Sequence, residues 1–160
     1  MNKQLQAAQH HDAGYNCSQA VLIAFCKELG LSQEMAARVA TGFGGGMRHG
    51  GTCGGVTGAL MVLGLKYGQV EASDQEAKMK AYKMVQEFQA RFAKKHGTIV
   101  CKELLGHNIG TEEGMKCIKE QGLLQSKCNT FIADAITIVE EMIQEQELCL
   151  LYTSPSPRDL

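Results

Sequence analysis

Cysteine is the residue type in this sequence with the most chemistry to offer. Six thiols lie in the body of the chain, Cys17, Cys26, Cys53, Cys101, Cys117 and Cys128, and a seventh, Cys149, lies near its end. In a reducing compartment so many thiols point to metal binding or redox chemistry rather than to a disulfide framework. Residues 42–58 read GFGGGMRHGGTCGGVTG and hold nine of the 18 glycines around one thiol, Cys53. Glycine permits close backbone approach and positive φ. Bare N–H groups beside Cys53 can point at a sulfur or at a bound anion. Gly51, Gly54, Gly55 and Gly58 are therefore candidate cofactor-contacting positions. Gly54 and Gly58 are also four apart, so on a helix they share a face that a neighbouring helix could press against. Close helix packing is the simpler role for the same glycines.

The elements that must hold these residues are helices. No run alternates with period two as strands do. Instead, capping residues precede apolar-periodic segments and glycines follow them. Asn16 with Gln19 predicts a capping-box start for a helix over 17–29, stopped by Gly30. Ser32 opens 33–40. Thr52 opens 53–67, stopped by Gly68. Ser73 opens the longest helix, 74–96, with Ala77, Ala81, Val85, Phe88 and Phe92 as one buried stripe. Thr98 opens 99–105, Thr111 opens 112–121, and Asn129 or Thr130 opens a last apolar helix. The expected fold is all-α: a compact single-domain bundle of about seven helices, an eighth short one near residues 3–11, and the Gly-rich loop ahead of a central helix.

On that framework Cys17, Cys53, Cys101 and Cys128 all fall at helix N-termini. Cys26 and Cys117 fall mid-helix, where a thiol behaves as a small hydrophobe. A helix N-terminus carries roughly half a positive charge and unpaired N–H donors. It can draw a thiol pKa down from about 8.5, and the thiolate is both nucleophile and metal ligand. Three functions follow. The four thiols could hold a tetrahedral metal or an iron–sulfur cluster for electron transfer. They could run thiol–disulfide exchange, with Cys53 attacking and Cys17 resolving. They could merely pack inside a non-catalytic helical binding module.

Other motifs are missing. There is no P-loop, no GxGxxG after a strand, no CxxC and no CxxCH. His49, four residues before Cys53, could add an imidazole, and Arg48 could favour a nearby thiolate. His10, His11, His96 and His107 read as surface or capping residues. The net charge of −1 leaves no basic patch for nucleic acid. The N-terminus is polar and no apolar run approaches the roughly 18 residues a membrane span needs. A cytoplasmic protein without membrane insertion is expected. Its redox partner is unidentified, and homo-oligomerisation is left open. The segment from Cys149, CLLYTSPSPRDL, holds both prolines and resembles a translated sequencing-library adapter. Residues 1–148 are taken as the domain and 149–160 as a non-native tail, with the natural C-terminus then lying elsewhere.

Four segments carry a family resemblance: YNCSQAV from Tyr15, FGGGMRHGGTCGGVTGALMVLGLKYG from Phe43, CKELLG from Cys101 and KCNTFIADAITIVEEM from Lys127. In order and spacing they resemble the C_GCAxxG_C_C family of redox-active proteins. The family's four characteristic cysteines fall on Cys17, Cys53, Cys101 and Cys128. Gly55 stands where the family pattern has alanine. The resemblance implies a small, mostly helical, cytoplasmic prokaryotic protein with redox activity or cofactor binding through those four thiols. Cys26→Ala and Cys117→Ala should then leave any bound cofactor in place. Metal content of the purified variants checks this, and its loss in either would show that the wrong four had been chosen.

Overall fold

The computed structural model describes residues 2–153. Among them the chain forms eight α-helices: α1 (Lys3–Ala13), α2 (Cys17–Cys26), α3 (Gln33–Ala40), α4 (Gly54–Tyr67), α5 (Gln75–His96), α6 (Cys101–Leu105), α7 (Glu112–Glu120) and α8 (Asn129–Thr153). The fold is all-α, as the capping pattern predicts.

Local chemistry sets most of the boundaries. The Asn16 side chain accepts from the Gln19 N–H, and the Asn16 N–H donates to the Gln19 side chain, both at 2.9 Å, so the α2 capping box is complete. Ser32 caps α3 and Thr111 caps α7 in the same way. At α5 the cap is Asp74 rather than Ser73, its carboxylate accepting from the Ala77 N–H at 3.0 Å. The buried face of α5 is Ala81, Met84, Phe88 and Phe92, so Met84 takes the place expected of Val85.

Three differences matter for the thiols. Thr52 does not cap α4. It pairs with Val100 in an isolated antiparallel bridge, and Cys53 itself becomes the N-cap residue. The same bridge delays α6, which begins at Cys101 instead of residue 99. Cys128 is not at a helix start. Leu124–Cys128 form a π-helical turn that runs straight into α8, and Asn129 has helical φ and ψ of −62° and −35°. Three of the four thiols therefore sit at helix N-termini, and the fourth sits inside a continuous helical path.

The core lies where α2, α4, α5 and α8 meet. Val56, Ala59, Val62 and Leu63 of α4 and Ile132, Ala135, Ile136 and Val139 of α8 are fully buried. Their removal from water is the main favourable term in folding. No described helix is long and apolar enough to cross a membrane. α8 continues past Cys149 to Thr153, while residues 154–160, with Pro155 and Pro157, lie outside the described residues.

The closest helix contact depends on the glycines. A Cβ at Gly58 would stand 2.8 Å from the Ser18 carbonyl oxygen and 3.0 Å from Val21 Cβ, and one at Gly54 would stand 2.9 Å from Cys17 Cβ. Backbone cannot yield there as a flexible side-chain tip would. Gly58→Ala should therefore cost about 2 kcal/mol, the usual scale of overpacking. Urea unfolding measures it. An unchanged midpoint would mean that α2 can shift away from α4 without loss.

Candidate functional site

A thiol can join a shared site only if the fold brings its sulfur there. Cys17 comes with α2 through the glycine contact with α4. Cys53 and Cys101 come together through the bridge. The Cys53 N–H donates to the Ile99 carbonyl at 2.7 Å, and the Cys101 N–H donates to the Gly51 carbonyl at 2.6 Å. Cys128 arrives from the π turn at the head of α8. The result is one small cavity with Cys17, Cys53, Cys101 and Cys128 around it, together with Gly45 and Gly54. Leu104, Leu105, Ile109 and Phe131 close the apolar side. Its volume is about 10 Å³, roughly what a single water requires. Cys53, Cys101 and Cys128 are buried and Cys17 is half-buried. None of the four forms a disulfide.

The four thiols singled out in the sequence line this one cavity. The family described as "Putative redox-active protein (C_GCAxxG_C_C)" matches residues 15–142. The chain belongs to this family. No curated protein and no solved structure matches it.

In this C_GCAxxG_C_C protein the cavity, more than the helix ends, sets the acidity of the thiols. Burial pushes Cys53 up to about 11, against the Gly55 and Val56 N–H groups, which favour its thiolate. The sulfur lies over those N–H groups without a capping hydrogen bond of full geometry. Burial also pushes Cys101 up to about 12, with Cys53 and Cys128 adding repulsion and the Arg48 charge opposing it. Cys17 is raised well above the ordinary range, first because its thiol hydrogen-bonds to Cys128 and then by burial. Cys128 is lowered by the same hydrogen bond, in spite of its burial. The expectation that Cys53 carries the depressed pKa is not met, because desolvation outweighs the helix N-terminus. The group best placed as a thiolate is Cys128.

The glycines divide by role. Gly54 lines the cavity and Gly55 offers its N–H to the Cys53 sulfur. The polar groups of Gly51 are committed, its N–H to the Gly46 carbonyl at 2.9 Å and its carbonyl to Cys101. Gly58 faces α2 and not the cavity. Ahead of them the backbone makes a left-handed turn: Gly45, Gly46, Met47 and Arg48 have φ of 63°, 63°, 58° and 64°. Met47 and Arg48 carry side chains in a conformation that costs L-residues roughly 1–2 kcal/mol each. A Cβ at Gly46 would fall 2.3 Å from the Gly51 amide nitrogen, so only glycine permits this turn to fold back on the bridge. His49 is exposed and away from the cavity. Cys26 and Cys117 do not line it either; Cys26 is buried in the core and Cys117 half-buried on α7.

One residue in contact with the thiols escapes sequence analysis. His11, expected at the surface, is half-buried with its Nε2 at 3.9 Å from Cys17 Sγ. Its Nδ1 contacts Asn129 Oδ1 at 2.8 Å, and Asn129 Nδ2 donates to Asp12 Oδ1 at 3.1 Å. An amide oxygen only accepts, so Nδ1 carries the proton and Nε2 turns its lone pair to the thiol. Nothing in the spacing of residues 11, 17 and 129 signals this contact, because it joins both ends of the chain.

Burial lowers the His11 pKa from 6.5, against the hydrogen bond that His11 donates to Asn129 and the charge of Asp12. A histidine depressed by folding contributes stability that is whole above its unfolded value. That stability is lost as pH falls through the folded value, since the unfolded chain takes the proton first. His11→Gln should therefore flatten the loss of stability below pH 6.5. Urea unfolding of both proteins across that range tests it, and parallel curves would show that His11 is equally easy to protonate in both states.

Proposed function

We propose that Cys17, Cys53, Cys101 and Cys128 bind a metal centre as thiolates, and that the protein uses it for electron transfer. One observation carries this function: four thiols from four separate segments of a redox-active family member face a single small apolar cavity. A four-sulfur donor set suits zinc, iron or an iron–sulfur cluster.

The fit can be examined in the cavity itself. A volume of about 10 Å³ admits one ion-sized group. With the walls in place, a single tetrahedral ion at about 2.3 Å from each sulfur suits the space. A multinuclear cluster needs the apolar side to yield. Among the described residues no three or more ligating side chains already form a metal cage. Protonated thiols have nothing to draw them into one. Three of the four have raised pKa values, so they stay neutral until a cation replaces their protons. The protein's own contribution is then threefold. The bridge, the glycine contact and the π turn at the head of α8 place the four cysteines. The Gly55 and Val56 N–H groups and the Arg48 charge offset the thiolate charge. The apolar wall excludes water, which helps set the potential of such a centre.

The Cys17–Cys128 hydrogen bond supports a second function, thiol–disulfide exchange within that pair. The Cys128 thiolate would then attack a substrate disulfide in place of Cys53, releasing one substrate thiolate, and Cys17 would attack the mixed disulfide, releasing the second and leaving Cys17–Cys128 oxidised.

Protein purified without oxygen should contain metal near one centre per chain, and acid-labile sulfide if the centre is a cluster. Serine at any one of the four positions should lower that content. Metal-free protein that reversibly loses two thiols would overturn the metal function in favour of the second. Metal affinity should also rise with pH, by about four log units per pH unit at most, as the four thiols give up their protons. Competition titrations at pH 6.5 and 8 measure this. A flat response would mean that the bound thiols were already ionised.

A further inference from the structure

The thiol cavity is small and largely covered, and one part of its wall, Leu104 and Phe131, also borders a surface depression. Leu104 and Phe131 line the cavity on their inner side. The same two residues line an open surface depression of about 330 Å³ on their outer side. Its mouth is formed by His96, Glu103, Ser126, Lys127 and Thr130. The other wall residues, Leu105 and Ile109, do not border this depression.

The two wall residues are not equally held. Phe131 is gripped by aromatic neighbours, with the His96 ring edge-on at 5.0 Å and the Phe92 ring at 6.3 Å. His96 is itself held by Asp134, whose Oδ2 lies 2.8 Å from Nε2. Leu104 sits on α6, a helix of five residues that ends at Gly106 in the left-handed conformation. A short helix with few intrahelical bonds lies at the low end of local stability. Leu104, at the edge of the core on this short helix, is thus the less firmly held of the two wall residues.

We infer that the thiol centre is reached through Leu104, which acts as a gate between the cavity and the depression, and that the route takes small neutral or anionic molecules. The inference rests on the four thiols being the functional centre. The cavity admits nothing larger than a water-sized group while closed, which excludes a protein side chain. The charge preference comes from the mouth. Glu103 is engaged by the Thr98 hydroxyl at 2.8 Å, and Asp134 is paired with both His96 and Lys95. Lys127 is exposed, immediately before Cys128, and forms no ion pair among the described residues. Its ammonium group offsets the Glu103 carboxylate, which the neutral Thr98 hydroxyl leaves charged, so the mouth does not repel an approaching anion.

The test uses the full chain freed of metal by a chelator, and alkylation followed residue by residue by mass spectrometry. In that reaction a thiolate sulfur bonds to the carbon of iodoacetamide, the carbon–iodine bond breaks, iodide leaves and the thiol proton passes to buffer. Cys26 is buried outside the cavity, beneath a separate surface depression, and reports opening elsewhere in the molecule. Leu104→Ala should raise labelling of Cys101 and Cys128 by about ten-fold relative to Cys26. Ile109→Ala, at a wall residue that does not border the depression, should not. Equal acceleration of Cys26, or equal acceleration in Ile109→Ala, would overturn the gate. If Leu104→Ala does not fold, an exposed variant decides. Lys127→Glu should lower the iodoacetate-to-iodoacetamide rate ratio at Cys53 and Cys101 by about three-fold at low salt. An unchanged ratio would place the route elsewhere. These rates are read on metal-free protein, so a gate that fails leaves the metal function standing. A protein that never takes up metal can still show the gate.

Discussion

Two backbone hydrogen bonds, Cys53 N–H to Ile99 and Cys101 N–H to Gly51, are the constraint on which the site depends. They tie the glycine-rich loop to the segment before α6 across almost fifty residues of chain. A backbone pair of this kind fixes both cysteines by their main chain, so their side chains need no further support to meet. It also commits polar groups that a buried loop would otherwise leave unpaired, at a cost of about 1–3 kcal/mol each. The loop meets that requirement by folding back on itself. The left-handed turn from Gly45 to Arg48 brings Gly46 against Gly51, and the Gly46 carbonyl takes up the Gly51 N–H.

The second constraint is steric. Gly54 and Gly58 let α2 lie directly on α4, and this brings Cys17 to the cavity from the opposite direction. The density of glycine around Cys53 thus has separate causes. Some glycines accept positive φ, some replace a side chain that would strike backbone, and Gly55 turns an N–H to a sulfur. The same loop serves folding and chemistry, because the thiols meet only when the backbones are this close.

Burial and helix ends compete at the site. A helix N-terminus favours a thiolate, but a dry cavity with three other sulfurs disfavours it more. The outcome is a set of largely neutral thiols with one lowered member, Cys128, supported by its neighbour Cys17. Such a set suits a cation that displaces protons, since the charge then enters the cavity already compensated. His11, held by Asn129 and Asp12, adds a basic nitrogen on the outer side of Cys17.

Much of this was written locally. The Asn16–Gln19 box, the Ser32 and Thr111 caps and the glycines after α5 and α6 act within a few residues, so the sequence alone determined the all-α class and most helix starts. The four thiols that matter were legible by their positions near those starts, and by the order and spacing of the family segments. Tertiary structure decided what distance in sequence concealed. Thr52 leaves its capping role because Val100 offers a better partner. Cys128 enters through a π turn that continues α8, since Asn129 is drawn to His11 and Asp12 and no longer serves as a cap. Cys53 is made a weak acid by the walls that Leu104, Leu105, Ile109 and Phe131 build around it. Capping is a contact over three or four residues and can be read from neighbours. Burial, hydrogen bonding between chain ends and desolvation belong to the packed molecule, and only the fold determines them.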